Sequence, residues 1–198
     1  KIVIDDESYS VETDGVTVIR DGEELNENWK AGAFKDQQSA DVITLIDTDD
    51  NNKIDTAYIK TVDVAKVTYV ASSQIIAGSK TYKFSEDTID EDVEKDDWVI
   101  ITKNLYNDNK DIVKADMSTG TLNGLRDNQS ANIFFDGGDV STSKVTYNEY
   151  RVGDDWFKGA AKVQSTASES DLNTVKAGNE VEYVVVNNIM FYVKRVSG

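Results

Sequence analysis

Apolar and polar residues alternate with a period of two through most of the chain, in short runs rich in Val, Ile, Thr, Tyr and Trp and bounded by Asp, Asn or Gly. Runs of that length and composition predict strands. They also recur as a phrase: a glycine turn, a linking segment, then an apolar strand that folds back over a polar turn. The turn glycines Gly22, Gly78 and Gly137 stand 56 and 59 residues apart, a period that predicts tandem modules. Val42 follows Gly22 by 20 residues and Val99 follows Gly78 by 21, whereas Val181 follows Gly137 by 44. The third copy is therefore expected to carry an insertion of about twenty residues, around 145–172, in a surface connection.

Five strands are expected in each copy. The first has Tyr9–Thr13, Val16–Arg20, Glu23–Asn26, Asp41–Ile46 and Ile54–Thr61; the second has Lys66–Ala71, Gln74–Ala77, Lys80–Phe84, Trp98–Lys103 and Ile112–Ala115. In the third they are Gly120–Gly124, Asn132–Phe135, Lys144–Tyr150, Glu180–Val186 and Ile189–Val196. The closest local match between copies joins Val93–Val99 to Val175–Val181, each a lead-in Val, mixed charge, a tight turn and a strand. The Lys-Val-Thr-Tyr shared at Lys66 and Lys144 falls on different strands and carries no weight.

Between strands three and four of each copy lies room for one or two helical turns. Asn28–Phe34 carries Trp29 and Phe34; Ser85 precedes Glu86 and Asp87 as an N-cap would; Trp156, Ala160 and Val163 follow Asp154 and Asp155 at helical spacing. The expectation is an all-β chain of three modules, 1–62, 63–116 and 117–198, each a small OB-like barrel or a small sandwich with such a helical segment. Modules this small bury little surface alone and are expected to lean on one another. Short joints at Thr61–Ala65 and Asp116–Thr119 favour a stiff rod.

Composition changes the picture by subtraction. The net charge is −16, from 37 acidic and 21 basic residues, and no Lys/Arg block offsets it, so a nucleic-acid partner is not expected. No run of eighteen apolar residues suggests membrane insertion, and the start at Lys1 lacks the regions of a secretion signal. A chain without an initial Met is expected to be a mature or excised piece whose signal and anchor lie elsewhere. Cys and His are both absent, which removes disulfides, thiolate chemistry, the commonest general base and the usual zinc ligands. Proline is missing too.

What chemistry remains is oxygen chemistry. In Asp47-Thr48-Asp49-Asp50-Asn51-Asn52-Lys53-Ile54-Asp55, oxygen-bearing side chains alternate at Asp47, Asp49, Asn51 and Asp55. Ca²⁺ takes six to eight oxygens, and a loop offering positions one, three, five and nine, with the Lys53 carbonyl at seven, wraps them round one centre. Asn52 stands where such loops place Gly, and Tyr58 stands where they place a bidentate acid. A plain polar hairpin turn is the competing reading, since Asp and Asn are common turn formers. The turn at Asn107–Asp111 is a poorer version, and Asn187-Asn188 is a two-residue hairpin turn without ligand capacity.

Adjacent acids such as Asp96 and Asp97, or Asp154 and Asp155, are better read as solvated loop ends than as a glycosidase pair, so an enzyme is not expected. Among the aromatics Trp29, Trp98, Tyr150, Trp156 and Phe157, the first candidates for a sugar-stacking platform are Trp156 and Phe157, while Trp98 opens an apolar strand and is expected to be buried.

The stretch Val42–Asp49 followed by Lys53–Ala57, with Lys80–Lys83 and Val93–Val99 in the same style, resembles the repetitive β regions of bacterial surface-layer proteins that carry S-layer-homology anchors. That resemblance implies a secreted, cell-wall-associated structural module. Its partners would be neighbouring copies or other surface-layer proteins, with calcium ordering the assembly. The alternative is a carbohydrate-binding module of a secreted cell-surface protein, holding cell-wall polysaccharide.

Overall fold

The structure is a computed structural model, and it describes residues 2–4, 7–10, 12, 16–25, 39–136, 140–164 and 175–197. Among these every regular element is a strand, and no helix is present. The chain divides into two compact units. One gathers Lys1–Gln37, Asp41–Thr61 and Ser130–Thr146; the other gathers Gln38–Ala40, Val62–Gln129 and Tyr147–Gly198. Each unit draws on more than one stretch of the chain.

In the first unit, β1 (Ile2–Ile4) pairs antiparallel with β2 (Glu7–Tyr9) and, at Ile2↔Phe135, with the far part of a long strand, β13 (Ser118–Asp136). A four-stranded sheet of order β4-β3-β6-β5 follows, from β3 (Thr17–Arg20), β4 (Glu23–Leu25), β5 (Val42–Ile46) and β6 (Thr56–Lys60). Strands β3 and β4 are joined by Asp21-Gly22, both at positive φ, the type I′ geometry that Asp-Gly supplies cheaply. Alternation does the rest. Val16, Val18, Ala57 and Ile59 are buried on one side, while Tyr58 and Val42 lie exposed on the other.

The second unit holds two small sheets. A six-stranded sheet has the order β10-β12-β11-β7-β8-β9, built from β7 (Val62–Val70), β8 (Gln74–Ala77), β9 (Lys80–Lys83), β10 (Thr88–Ile89), β11 (Trp98–Lys103) and β12 (Lys110–Lys114). Its two edges face one core, because Tyr82 of β9 and Ile89 of β10 are buried in the same cluster as Val67, Ile75, Val99, Ile101 and Ile112. Five strands form a closed barrel: β13, β14 (Val140–Val152), β15 (Asp155–Gln164), β17 (Ile189–Ser197) and β16 (Glu180–Val186), with β13 returning to β14. Leu122, Tyr150, Val152, Val181, Met190 and Val193 fill it. The barrel is narrow enough that a Cβ on buried Gly159 would come within 3.2 Å of Val163, Tyr150 and the Asn148 carbonyl.

The helical segments are corrected. Asn28–Phe34 lies outside the described residues. At Ser85, the chain makes a turn in which the Glu86 and Asp87 amides both donate to the Lys83 carbonyl, and β10 starts immediately after. The residues from Trp156 to Val163 lie in the β15 hairpin strand, Asp155–Gln164, instead of a helix. Gly153 there is at φ 59, so Gly153-Asp154 is a two-residue hairpin turn, and this local chemistry overrides the i, i+4, i+7 spacing of Trp156, Ala160 and Val163. The inserted segment thus begins with a barrel strand. Gly120–Gly124 and Asn132–Phe135, expected as two strands, belong to the one strand β13.

The match between Val93–Val99 and Val175–Val181 holds bond for bond. The Glu94 amide donates to Asp97 Oδ2 at 2.8 Å and the Lys176 amide to Asn179 Oδ1 at 2.8 Å. Asp97 and Asn179 carbonyls accept from Val67 and Leu122 amides, both at 2.8 Å, and Val67 and Leu122 carbonyls accept from Asp96 and Gly178. Asp96 (φ 75) and Gly178 (φ 98) occupy the same left-handed position.

An apolar seam joins the two sheets of this unit. Val62, Trp98 and Ala115 meet Val184, Val186 and Tyr192, with Ala40 sealed among them. The Trp98 and Tyr192 ring centroids are 5.5 Å apart, and the Tyr192 hydroxyl donates to Glu182 at 2.8 Å. A Trp98→Ala variant, losing a large side chain from a closed site, should cost roughly 3–5 kcal/mol in chemical denaturation. Tyr106→Ala, at a fully exposed position, should stay within about 0.5 kcal/mol of wild type.

Candidate metal centre at the β5–β6 turn

The antiparallel pairing of β5 with β6 ends at Ile46↔Thr56, so Asp47 and Asp55 leave the two strands side by side. The turn between them is held by its own side chains. Asp47 accepts from the amides of Asn51 at 3.3 Å and Asn52 at 2.7 Å. Asp55 accepts from the amide and the hydroxyl of Thr48, both at 2.8 Å, and from the Thr56 hydroxyl at 2.7 Å. Asp50 and Asn52 sit at φ 58 and 62, the left-handed region that Asp and Asn tolerate.

This folding brings one oxygen each from Asp47, Asp49 and Asp55 within 4.8 Å of one another, and it is the one such acidic group among the described residues. The electrostatics follow from crowding. The Asp49 carboxyl is raised above its ordinary 3.8 by its hydrogen bond with Asp47, by desolvation, and by the negative charges of Asp47, Asp55 and Glu12. Desolvation pushes Asp47 up, but hydrogen bonds from Asp49 and from the amides of Asn52, Asn51 and Asp49 outweigh it and leave Asp47 lowered. The Thr56 hydroxyl lowers Asp55; desolvation opposes it, and the Thr48 hydroxyl with the Thr48 and Asp49 amides completes the net lowering.

The other expected ligands are placed differently. Asn51 turns its Oδ1 to the Lys53 amide at 2.9 Å and donates its side-chain amide to Asp49 at 3.4 Å and to Glu12. Lys53 thus enters the turn through its N–H. Glu12 is the residue that sequence reasoning missed. It arrives because the Glu12 amide donates to the Ile54 carbonyl and the Ile54 amide to the Ser10 carbonyl, an alignment of segments far apart in the chain. Tyr58, at the position of the missing acid, is on β6 and half exposed, while the Glu12 carboxylate accepts from the Asn51 side-chain amide.

The aromatic candidates do not share a face. Trp156 is partly exposed on β15, lies against Gly124, and has the Arg126 guanidinium 3.9 Å over its ring. Phe157, the next residue, points to the barrel core and packs on Tyr183 at 6.4 Å. Tyr150 is in that core and Trp98 in the seam; Trp29 lies outside the described residues. At the poorer turn, Asp108 pairs with Lys103 at 3.4 Å and Asn107 accepts from the Asn109 amide.

No protein-family model matches the chain, and no curated protein matches it.

The three carboxyls should titrate in a set order in metal-free protein. Asp49, raised, disfavours the turn while ionised and is relieved as pH falls through its value; Asp47 and Asp55, lowered, stabilise the turn above 3.8 and lose that as pH falls below it. Carboxyl-carbon NMR should show Asp49 protonating first. Protonation of Asp55 ahead of Asp49 would contradict the geometry.

Proposed function

We propose that this chain is a non-enzymatic structural β module of a bacterial surface-layer or cell-wall-associated protein, extracellular, with Ca²⁺ ordering the Asp47–Asp55 turn. The observation that carries the reading is the convergence of Asp47, Asp49 and Asp55 on one point with Glu12 alongside. Like charges brought this close repel, and a hard cation with oxygen ligands removes that repulsion. Lys53 would contribute its carbonyl and Asn51 its side-chain oxygen after a rotation of the amide.

Tandem modules of OB-like form belong to the same reading. The barrel runs 1-2-3-5-4 in its own strand order, with its third strand parallel to its fifth, β15 to β17. The six-stranded sheet repeats that order if β9 and β10 are two halves of one strand, and its parallel pair is β10 with β12. The shared turn at Asp97 and Asn179 supports descent from one module. Repeated small sheets without His or Cys suit spacing and lateral contact with neighbouring copies or other surface-layer proteins.

A carbohydrate-binding module is the second reading, and the partly exposed ring of Trp156 is what favours it. Arg126 already occupies that ring, which weakens it.

Calorimetric titration should show one Ca²⁺ site with a dissociation constant of about 10⁻⁴ to 10⁻³ M, as in extracellular modules. Asp49→Ala should abolish it, and Glu12→Gln should weaken it by roughly tenfold, about 1.4 kcal/mol. Silence at millimolar calcium, or equal binding by all three proteins, would leave a polar turn. Retention by insoluble cell-wall polysaccharide, lost in Trp156→Ala, would favour the second reading.

A further inference from the structure

The β14–β15 hairpin turns one row of side chains away from the barrel. Tyr150 and Phe157 pair across it on the core side, so the flanking pairs Glu149↔Lys158 and Arg151↔Trp156 lie on the outer side. Arg126 of β13 joins that row, with its guanidinium 3.9 Å over the Trp156 ring and its Nη1 3.3 Å from Glu149. Among the described residues this face therefore sets the cations Arg126, Arg151 and Lys158 against Glu149, with Asp154 in the adjoining turn. Asp155 pairs with Val152 and belongs to the inner row. On a chain with 37 acidic and 21 basic residues, this patch reverses the prevailing sign.

The arrangement depends on a missing side chain. A Cβ on Gly124 would stand 2.8 Å from Trp156 Cη2 and 3.4 Å from Arg151 Cβ, so the indole reaches β13 only because that position is bare. The acids present leave both arginines incompletely bonded. Arg151 Nε is buried without a hydrogen-bond partner, and its Nη2 has only the fully exposed Asp154 at 3.4 Å. Both ion pairs are longer than the roughly 2.7–2.9 Å of a strong charge-assisted bond, and each uses a single nitrogen of a fork suited to two oxygens. Arg126 covers part of the ring that a neutral sugar would stack on. A guanidinium lying over an indole is steadied on that side and offers its N–H edge to an oxyanion.

We propose that this face binds an acidic saccharide, its carboxylate or phosphate on Arg126 and Arg151 and its ring against the uncovered part of Trp156. The partly exposed indole beside the cations calls for a ligand with a flat apolar face as well as a charge. A sugar acid has both, and a protein carboxylate has only the charge. Glu149 competes with the ligand for Arg126 and so sets the affinity. One such site is weak, and a polymer of repeated acids engages many copies at once. The proposal rests on the wall-associated setting of the proposed function and makes the polysaccharide of the second reading an anionic one. Its test involves no calcium, so its failure leaves the calcium titration untouched.

NMR of the 198-residue chain in calcium-free buffer, titrated with soluble polymers, reads the site directly. Polygalacturonate carries carboxylates, poly(glycerol phosphate) carries phosphates, and dextran carries neither. At least one acidic polymer should shift the Trp156 indole N–H and the Arg126 and Arg151 Nε–H signals, and the responding polymer identifies the anion. The dissociation constant should be on the order of 1 mM per site and should rise with added salt. Arg126→Ala should weaken binding by about tenfold, whereas Glu149→Gln, which removes the competing acid, should tighten it, both with unchanged circular dichroism. Silence toward both acidic polymers overturns the proposal. Equal binding of dextran, lost in Trp156→Ala, keeps the second reading and overturns the anionic ligand. Shifts at these signals that follow protein concentration without any polymer would mean that a second, acidic copy is the occupant, and overturn it too.

Discussion

Closing a small sheet through one parallel pair is the constraint from which the rest of this structure follows. In all three sheets the second strand of a late hairpin takes an earlier strand as its parallel partner: β3 with β6, β10 with β12, and β15 with β17. A parallel partner cannot be reached by a tight turn, so a connection must cross from one end of the sheet to the other. The strands β5, β11 and β16, each antiparallel to the strand that follows it, carry the chain back to the starting end. The return gives the barrel no free edge and brings the edges of the six-stranded sheet round one core. Neither sheet is large, and the Trp98–Tyr192 seam buries the apolar outer surface that the two leave uncovered.

Local chemistry made much of this legible. Gln74–Ala77 and Trp98–Lys103 are strands at the residues where alternation and bounding turns place them, and Glu180–Val186 likewise. The lead-in shared by Val93–Val99 and Val175–Val181 is readable because its signal is chemical: an Asx acceptor, then a strand, after a residue that must adopt positive φ. Asp96 and Gly178 satisfy the last condition by different means, one tolerating the left-handed region and the other free in it. The turn glycines Gly22 and Gly78 do not mark equivalent places. Gly22 lies after the parallel strand β3, whereas Gly78 lies before β9, so similar turns stand at different places in the two sheets.

What stayed hidden depends on pairing between distant segments. Glu12 carries no local sign of belonging beside Asp49; only the hydrogen bonds between Ser10, Glu12 and Ile54 put it there. Period-two patterning likewise cannot say which earlier strand a hairpin will accept in parallel, because both faces of the alternatives look alike. Trp156 and Phe157 were legible as aromatics but not as neighbours on opposite faces, which required knowing that β15 is extended. Helical spacing over three apolar residues is weak evidence beside a Gly-Asp hairpin turn.

The three late hairpins then separate fold from chemistry. Their strands are interchangeable in kind, apolar on the inner face and ending in a polar turn, and the turns differ in what they present. Asn187-Asn188 is the minimal type I′ connection, with both residues at positive φ, and Asn187 spends its side-chain amide on the Ala40 carbonyl at 2.7 Å, so that end is used in packing. The Asn104–Asn109 turn is longer and locks itself with Asn side chains, which frees Leu105 and Tyr106 to stand in solvent. The Asp47–Asp55 turn is longer still and folds its acids inward on their own amides, accumulating negative charge that a proton or a cation neutralises. Turn length sets what each presents: two residues only reverse the chain, six leave room for the exposed Leu105 and Tyr106, and nine bring three carboxylates together. The turns can thus differ in what they present while the buried face of each hairpin holds its own sheet together.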